Sequence, residues 1–350
     1  MTGSNFANDS IMLRACVIGL GSVGRAHAAA YRADGRAELV GVCDTDRARV
    51  ADVGRRLKAA AFSDAQKMLA ETRPDLVSVC VGFADQTTLI TQALDAGCHV
   101  LCEAPLATDL AQAKELVARS RERGLCLAAD CNLRFTPAAI RARRWIDEGR
   151  LGTPLFINAA LWSHCDGDSH AALLRWLACH AFDLMCFMCG EIAEVQCFAA
   201  EPATGSAASS SARASSAQVN VRFANGVVGG LTVSADMVAQ HPMARCEVAG
   251  TVARVLIDNI YEEITLYPHA EEEKTVITNS IFGGLGGYED TFGCRIGRLL
   301  EQLAAGAAPD AIDGSGEDAL AAQAVVEAAV RSLKSGEVVA APDAGAPMSS

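Results

Sequence analysis

Three glycines carry the first readable chemistry of this chain. Gly19-Leu20-Gly21-Ser22-Val23-Gly24 forms a G-x-G-x-x-G run between an apolar segment, LRACVIG (13–19), and a segment of helical character at 23–33. In that setting the first glycine allows a tight turn and the second lets backbone approach a pyrophosphate. The third lets a helix pack closely on a strand, and the free N–H groups at the helix start, including those of Ser22 and Val23, face the phosphates. Asp44 ends the next apolar run, ELVGVCD (38–44), 20 residues after Gly24. A carboxylate there accepts hydrogen bonds from ribose hydroxyls and repels a 2′-phosphate, so the pattern calls for NAD(H) rather than NADP(H). Arg47 stands nearby, able to stack on adenine or meet a 2′-phosphate, which leaves dual specificity open.

The elements that must hold these groups alternate. After the first strand and helix come 38–44 (strand), 47–57 (helix), 59–62 (strand), 64–71 (helix), 75–82 (strand), 86–97 (helix), 99–105 (strand), 110–124 (helix) and 125–132 (strand). The strands are continuously apolar, as strands buried on both faces are, and the intervening helices predict a parallel sheet covered on both sides. Beyond residue 150 the texture changes. A strand at 152–162, a long apolar helix at 172–190 and a strand at 194–200 precede a small-residue segment (201–217) that reads as an exposed loop. An Asn225-Gly226 turn then divides runs that suggest antiparallel hairpins, and helices are expected at 290–304 and 317–335. The expected fold is an α/β Rossmann domain with a parallel sheet, followed by an α+β domain with a mostly antiparallel open sheet. The expected boundaries are a lead-in at 1–12, a dinucleotide-binding domain at 13–132, a substrate and oligomerisation domain at 133–340, and a tail at 341–350.

Composition narrows the function classes. With 350 residues, 51% of them hydrophobic, the chain can bury two cores. The formal net charge of −12 and the lack of a basic run argue against nucleic acid as a partner. No run of 18 or more apolar residues is seen, so no membrane partner is expected. The opening MTGSNFANDSIML lacks a basic stretch followed by an apolar one, and the cytoplasm is the expected location. Of the 14 cysteines, Cys16, Cys43, Cys80 and Cys102 fall in expected strands and Cys179, Cys186 and Cys189 in an apolar helix, where thiols act as small hydrophobes. The Cys186-x-x-Cys189 pair has no second pair at zinc spacing, and no metal is expected.

Several segments together resemble the glucose–fructose oxidoreductase/inositol dehydrogenase (Gfo/Idh/MocA) family: the glycine loop, the Asp44 segment, AGCHVLCEAPLA (96–107), NLRFTPA (132–138), EGRLGTP (148–154), ACHAFDLMCFMCGEIAEV (178–195) and the closing 316–339. The resemblance implies a nicotinamide-dependent oxidoreductase of sugars, cyclitols or related carbonyl compounds, assembled as a homodimer or homotetramer through the C-terminal sheet. It adds Gly82, Glu103 and Pro105 to the cofactor contacts, with Glu103 at the nicotinamide ribose. It also implies His180 as proton donor and acceptor, with Asp183, one helical turn on, to orient it. The chain departs from the family pattern where a Glu-Lys-Pro lysine is replaced by Ala104 and where an aspartate four residues before the histidine is replaced by Trp176.

Asn132 and Arg134 sit at the end of the sixth strand, the edge at which open α/β sheets bind ligands. Asn132 is therefore read as a cofactor contact and Arg134 as a substrate contact, against a salt bridge within the C-terminal domain. His164, in the loop with Asp166, Asp168 and His170, is a candidate to donate a hydrogen bond to substrate in place of the missing lysine. Three functions remain in play: a dehydrogenase or reductase using NAD, a redox-neutral lyase or epimerase with tightly held NAD, and a non-catalytic NAD-binding sensor.

Overall fold

A computed structural model describes residues 12–163, 169–200, 216–235, 243–259, 262–279 and 285–341. The expected loop at 201–217 and the lead-in and tail lie almost wholly outside them.

The chain divides into two compact units. The first holds β1 (Leu13–Ile18), α1 (Ser22–Ala33), β2 (Ala37–Cys43), α2 (Arg47–Leu57), β3 (Ala60–Phe62), α3 (Ala65–Thr72), β4 (Leu76–Val79), α4 (Phe83–Asp95), β5 (His99–Cys102) and most of β6 (Leu127–Ala129). The sheet order is β3-β2-β1-β4-β5-β6, with parallel pairing of β1 to β2 and of β1 to β4. All four residues of β4 are buried, which is why these strands read as unbroken apolar runs. The chain reverses direction across the sheet between β1 and β4, so their carboxyl ends flank a crevice. Helix ends follow local chemistry. Asp46 and Asp64 cap α2 and α3 with side-chain hydrogen bonds, whereas α1 and α4 start at Gly21 and Gly82 with no side-chain cap. Their first N–H groups are thus left for something else.

The second unit holds α5 (Leu110–Glu122) only in its first half, then a single 3-10 turn at Asn132–Phe135 and α6 (Pro137–Asp147). It continues with β7 (Pro154–Trp162), α7 (His170–Leu173), a π-type turn at Leu174–Ala178, α8 (Cys179–Cys189), β8 (Ile192–Ala199), β9 (Ser216–Phe223), β10 (Val228–Ser234), β11 (Ala244–Gly250), β12 (Ala253–Asp258), β13 (Glu263–Pro268) and β14 (Thr275–Thr278). α9 (Glu289–Ala304), α10 (Gly316–Ser335) and β15 (Val339–Ala340) close the chain. The nine strands order as β14-β13-β12-β11-β7-β10-β9-β8-β15. Pairing is antiparallel except between β7 and β10, so the sheet is mixed. The Asn225-Gly226 turn joins β9 to β10, with Gly226 at φ +89° and Asn225 Nδ2 donating to the Cys189 carbonyl. α8 packs on β7, and α10 packs on α8 and β8, burying one sheet face.

Two expectations change. The cut at 132/133 gives way to a discontinuous division: 104–114 belongs with the second unit, and 292–315 returns to the first. The physical reason is apolar, since Ile296, Leu299, Leu300 and Ile312 join Leu13, Val17, Leu39 and Leu76 in one buried cluster. The second concerns apolar length. His170–Cys189 runs as one helical stretch long and apolar enough to cross a membrane. Most of it is buried in the second unit, and it carries the Arg175–Glu327 ion pair, as a core helix does.

Candidate functional site

The glycine loop follows β1 directly. Gly19 has φ +86°, and a Cβ there would fall 2.2 Å from the Cys80 carbonyl oxygen; a Cβ on Gly24 would fall 1.8 Å from the Gly19 carbonyl oxygen. At Gly21 a Cβ would meet nothing within 4 Å. The first and third glycines are therefore demanded by the protein, while the second faces open space where a ligand's backbone contact would be made. Ser22 and Val23 begin α1 with no side chain competing for its first N–H groups.

Beside this loop lies a cavity of about 760 Å³ lined by Gly19, Leu20, Gly21, Asp44, Thr45, Arg49, Ser63, Asp64, Gly82 and Asp85, among others. Asp44 is buried at the tip of β2. Its Oδ2 accepts from Leu20 N (2.7 Å) and Arg49 Nη1 (3.1 Å), and its Oδ1 from Asp46 N (2.8 Å). Burial pushes its pKa up, but the Asp46 and Leu20 N–H groups and the Arg49 guanidinium outweigh it and hold the carboxyl below its ordinary value. Asp44 stays ionised. Arg49, not Arg47, reaches this carboxylate. Arg47 is exposed at the first position of α2 and is not among the cavity's lining residues.

Glu103 follows β5. Its Oε1 lies 3.6 Å from His27 Nε2, and its carbonyl accepts from Gln86 Nε2 at 3.0 Å. His27, wholly buried on α1, also meets Ser78 Oγ through Nδ1 at 3.0 Å, and Ser78 bonds the Tyr31 hydroxyl at 2.7 Å. Sequence reading missed His27, whose only signal was its place three residues after Gly24. Pro105 and Asn132, expected at the cofactor, belong to the second unit and are buried there. Asn132 Nδ2 is committed to Thr291 Oγ1 at 2.8 Å.

In the second unit the acid–base candidates sort differently from expectation. Arg134 Nε donates to Asp183 Oδ2 at 2.6 Å, Nη2 to Asp183 Oδ1, and Nη1 to Asp318 Oδ2 at 3.0 Å. Its guanidinium lies over the Phe187 ring at 5.4 Å. Burial alone would favour the neutral form, but the Asp183 and Asp318 carboxylates more than offset it. Arg134 is held by Asp183 and Asp318, the salt bridge that the sequence reading set against a substrate contact, while it also lines a cavity of about 460 Å³. Asp183 pairs with Arg134, and His180 Nδ1 is buried and has no hydrogen-bond partner. A buried guanidinium claims a carboxylate more strongly than a neutral imidazole does.

His180 is the second residue of α8 and is half-buried. Burial pulls its pKa below the ordinary histidine value, and the Asp130 carboxylate pushes back. Asp130, fully buried at the end of β6, was missed. Its signal was a carboxylate just past an apolar strand, the same signal that marked Asp44. Trp176 sits in the π-type turn and is 39% exposed; such turns gather at functional sites. His164, Asp166 and Asp168 lie outside the described residues. His170 Nε2 meets the Ala200 carbonyl at 3.2 Å. Burial pushes the Cys186 and Cys189 thiols up to about 12, keeping them protonated. Among the described residues, His27, Cys80 and Glu103 bring ligand atoms within 4.8 Å of one another.

Family models match both parts of the chain. Residues 13–130 match the oxidoreductase family with an NAD-binding Rossmann fold, and residues 139–256 match the GFO/IDH/MocA C-terminal domain. The chain belongs to the Gfo/Idh/MocA family. It is 36% identical over 163 residues to D-glucoside 3-dehydrogenase of Escherichia coli, covering 45% of this chain and 46% of that protein. It is 23% identical over 330 residues to myo-inositol 2-dehydrogenase of Thermotoga maritima, covering 92% and 96%. A levoglucosan dehydrogenase solved with NADH and levoglucosan shares the fold at TM-score 0.83 and 19% identity, covering 95% of this chain and 100% of that one. The chain spans about half the length of the first of these relatives.

Membership makes the glycines testable. Gly24→Ala is expected to lower the melting temperature, because its Cβ meets backbone and overpacking costs about 1–3 kcal/mol. Gly21→Ala should melt like the wild type yet bind NADH about tenfold or more weakly, the cost of a misfit of roughly 1.4 kcal/mol. Thermal melts with an NADH fluorescence titration check both, and equal melting losses in the two variants would refute the assignment.

Proposed function

We propose that this protein is an NAD(H)-dependent dehydrogenase or reductase acting on a sugar, cyclitol or related small polar alcohol or carbonyl compound. The observation that carries the reading is the glycine-loop cavity with Asp44 ionised beside it. The residues fit a dinucleotide: Gly21 leaves room for phosphate, α1 and α4 present uncapped N–H groups, and Asp44 offers acceptor oxygens for ribose hydroxyls. NAD is preferred to NADP because Asp44, Asp64 and Asp85 face the cavity against one lining guanidinium, Arg49. That balance disfavours a 2′-phosphate. When bound, the cofactor accepts or supplies the hydride.

The protein's own part is proton management. His180, with its pKa held down by burial, is neutral at physiological pH and ready to take the proton of a substrate hydroxyl. Ala104 offers no cation to a developing oxyanion, a donor whose loss typically costs ~10²–10³ in rate. Slow turnover is therefore expected. The relatives named as glucoside and inositol dehydrogenases support the substrate class.

The test is a fluorescence titration of the purified protein with NADH and NADPH, followed by a panel of sugars, inositols and sugar acids. NADH bound more tightly than NADPH, and consumed by one compound, supports the reading. NADH bound and never consumed by any of them counts against a dehydrogenase, and no binding of either cofactor ends the proposal.

The assembly proposed is a homodimer through the open face of the nine-stranded sheet. Phe156, Val228 and Val338 are exposed there around a shallow groove of about 630 Å³ that also includes Asn158, Asn220 and Arg222. Exposed apolar groups rimmed by polar ones mark interaction surfaces, and a two-fold contact is the commonest way for copies of one chain to cover such a face. Light scattering should give twice the chain mass, and Phe156→Glu with Val228→Glu should halve it. A wild type that runs as a monomer at micromolar concentration contradicts the assembly.

A further inference from the structure

Three side chains beside the glycine loop bring a nitrogen, a sulfur and an oxygen together. A ring nitrogen of His27, the Cys80 sulfur and a Glu103 carboxylate oxygen all lie within 4.8 Å of one another. The backbone fixes their places. β4 and β5 run parallel with Val79 opposite Cys102, so Cys80 and Glu103 take the next step of that register at the carboxyl ends of the two strands. Cys80 N donates to the Ile18 carbonyl at 2.8 Å, and Glu103 N to the Val79 carbonyl at 3.3 Å. His27 comes in from α1, wholly buried, with its ring 5.5 Å from that of Phe292.

The far side of the imidazole is anchored as that of a metal-binding histidine is. Nδ1 meets Ser78 Oγ at 3.0 Å, and Ser78 meets the Tyr31 hydroxyl at 2.7 Å. With Nδ1–H donating to Ser78, Nε2 turns its lone pair toward Glu103 Oε1, 3.6 Å away. Two electron-rich atoms held face to face out of bulk water call for a cation beside them, and the Cys80 sulfur selects its kind. One nitrogen, one sulfur and one carboxylate oxygen suit a borderline-soft ion such as Zn²⁺, whereas Mg²⁺ and Ca²⁺ take oxygen ligands. A thiolate and a carboxylate also balance the charge of a dication.

We propose that His27, Cys80 and Glu103 form a binding site for Zn²⁺ or an ion of its class, with Ser78 and Tyr31 holding the histidine from behind. Three protein ligands leave a fourth position open. Cys80 lines the glycine-loop cavity, which gives the ion its way in. Binding replaces the thiol proton: the sulfur–hydrogen bond breaks, a sulfur–zinc bond forms, and the proton leaves to solvent. No redox change accompanies the step. The site stands whichever dinucleotide the cavity takes, and no spacing in the sequence announces it, because its members come from a helix and two strand ends.

The experiment titrates the full chain, reduced and treated with chelator, first with Co²⁺ and then with Zn²⁺. Co²⁺ should raise a thiolate-to-cobalt charge-transfer band that saturates at a single ion per chain, and Zn²⁺ should abolish it by displacement. Cys80→Ser should lose the band, and Glu103→Gln should weaken cobalt binding. Ser78→Ala, which leaves all three ligands in place, should weaken it by ~10–100-fold, the usual cost of removing the partner that orients a ligating histidine. A band that survives in folded Cys80→Ser, or an affinity unmoved by Glu103→Gln, overturns the proposal. Should those variants fail to fold, the wild type decides the matter. The zinc absorption edge of the stoichiometric complex should show one sulfur at about 2.3 Å, with nitrogen and oxygen at about 2.0–2.2 Å. A shell without sulfur, or with two or more sulfurs, overturns the site. Failure of both ions to bind at micromolar concentration overturns it as well, and leaves His27 as the protonated partner of Glu103.

Discussion

Asp183→Ala is expected to lower the unfolding free energy by about 3–5 kcal/mol, the usual cost of stranding one member of a buried ion pair. Arg134 is 7% exposed and gives two of its three guanidinium nitrogens to Asp183. Removing that carboxylate leaves a nearly buried positive charge with only the half-exposed Asp318 still paired. Guanidinium-chloride unfolding followed by circular dichroism measures the loss. Replacing both members, Arg134→Met with Asp183→Leu, should recover most of it, because apolar side chains of similar volume need no desolvation. NADH affinity should stay near wild type, since the glycine-loop cavity is built entirely from the first unit. A loss under 1 kcal/mol together with abolished turnover would return Asp183 to the role of orienting His180, and the ion-pair assignment would fall.

His180→Ala carries the largest expected effect on chemistry. General acid–base catalysis contributes ~10²–10⁴-fold, so kcat/KM for the substrate identified by the cofactor assay should fall by about that factor. NADH binding should be unchanged. Stability at neutral pH should change little, because the imidazole Nδ1 makes no hydrogen bond to lose. The pH dependence follows from the direction of the shift. Burial lowers the folded-state pKa below the ordinary histidine value near 6.5, so His180 is neutral above that pH and becomes charged as pH falls through the lower, folded value. Alcohol oxidation by the wild type should therefore be flat above about pH 6.5 and lose activity on the acid side. The stability contributed by keeping this imidazole neutral is present above the unfolded pKa and lost as pH falls through the folded one. Unaltered turnover by folded His180→Ala would dismiss His180 from the mechanism.

The sequence by itself determined the parts of this protein whose geometry is local. The tight turn at Gly19, the close contact at Gly24 and the carboxylate at the end of β2 lie within one strand–helix–strand unit. There the chain has little freedom, and spacing nearly dictates position. The alternation of apolar strands and helices, the Asn225-Gly226 turn and the apolar helix around His180 were legible for the same reason. Only the tertiary structure decided which polar groups meet. Arg49 reaches Asp44 from the first turn of α2, a contact that spacing alone did not resolve. Arg134 finds Asp183 across 49 residues and Asp318 across 184. The return of 292–315 to the first core was equally hidden. Local patterns encode the backbone's short-range geometry, whereas the partner of a buried charge is chosen when packing removes water, and that choice depends on every element that closes around it.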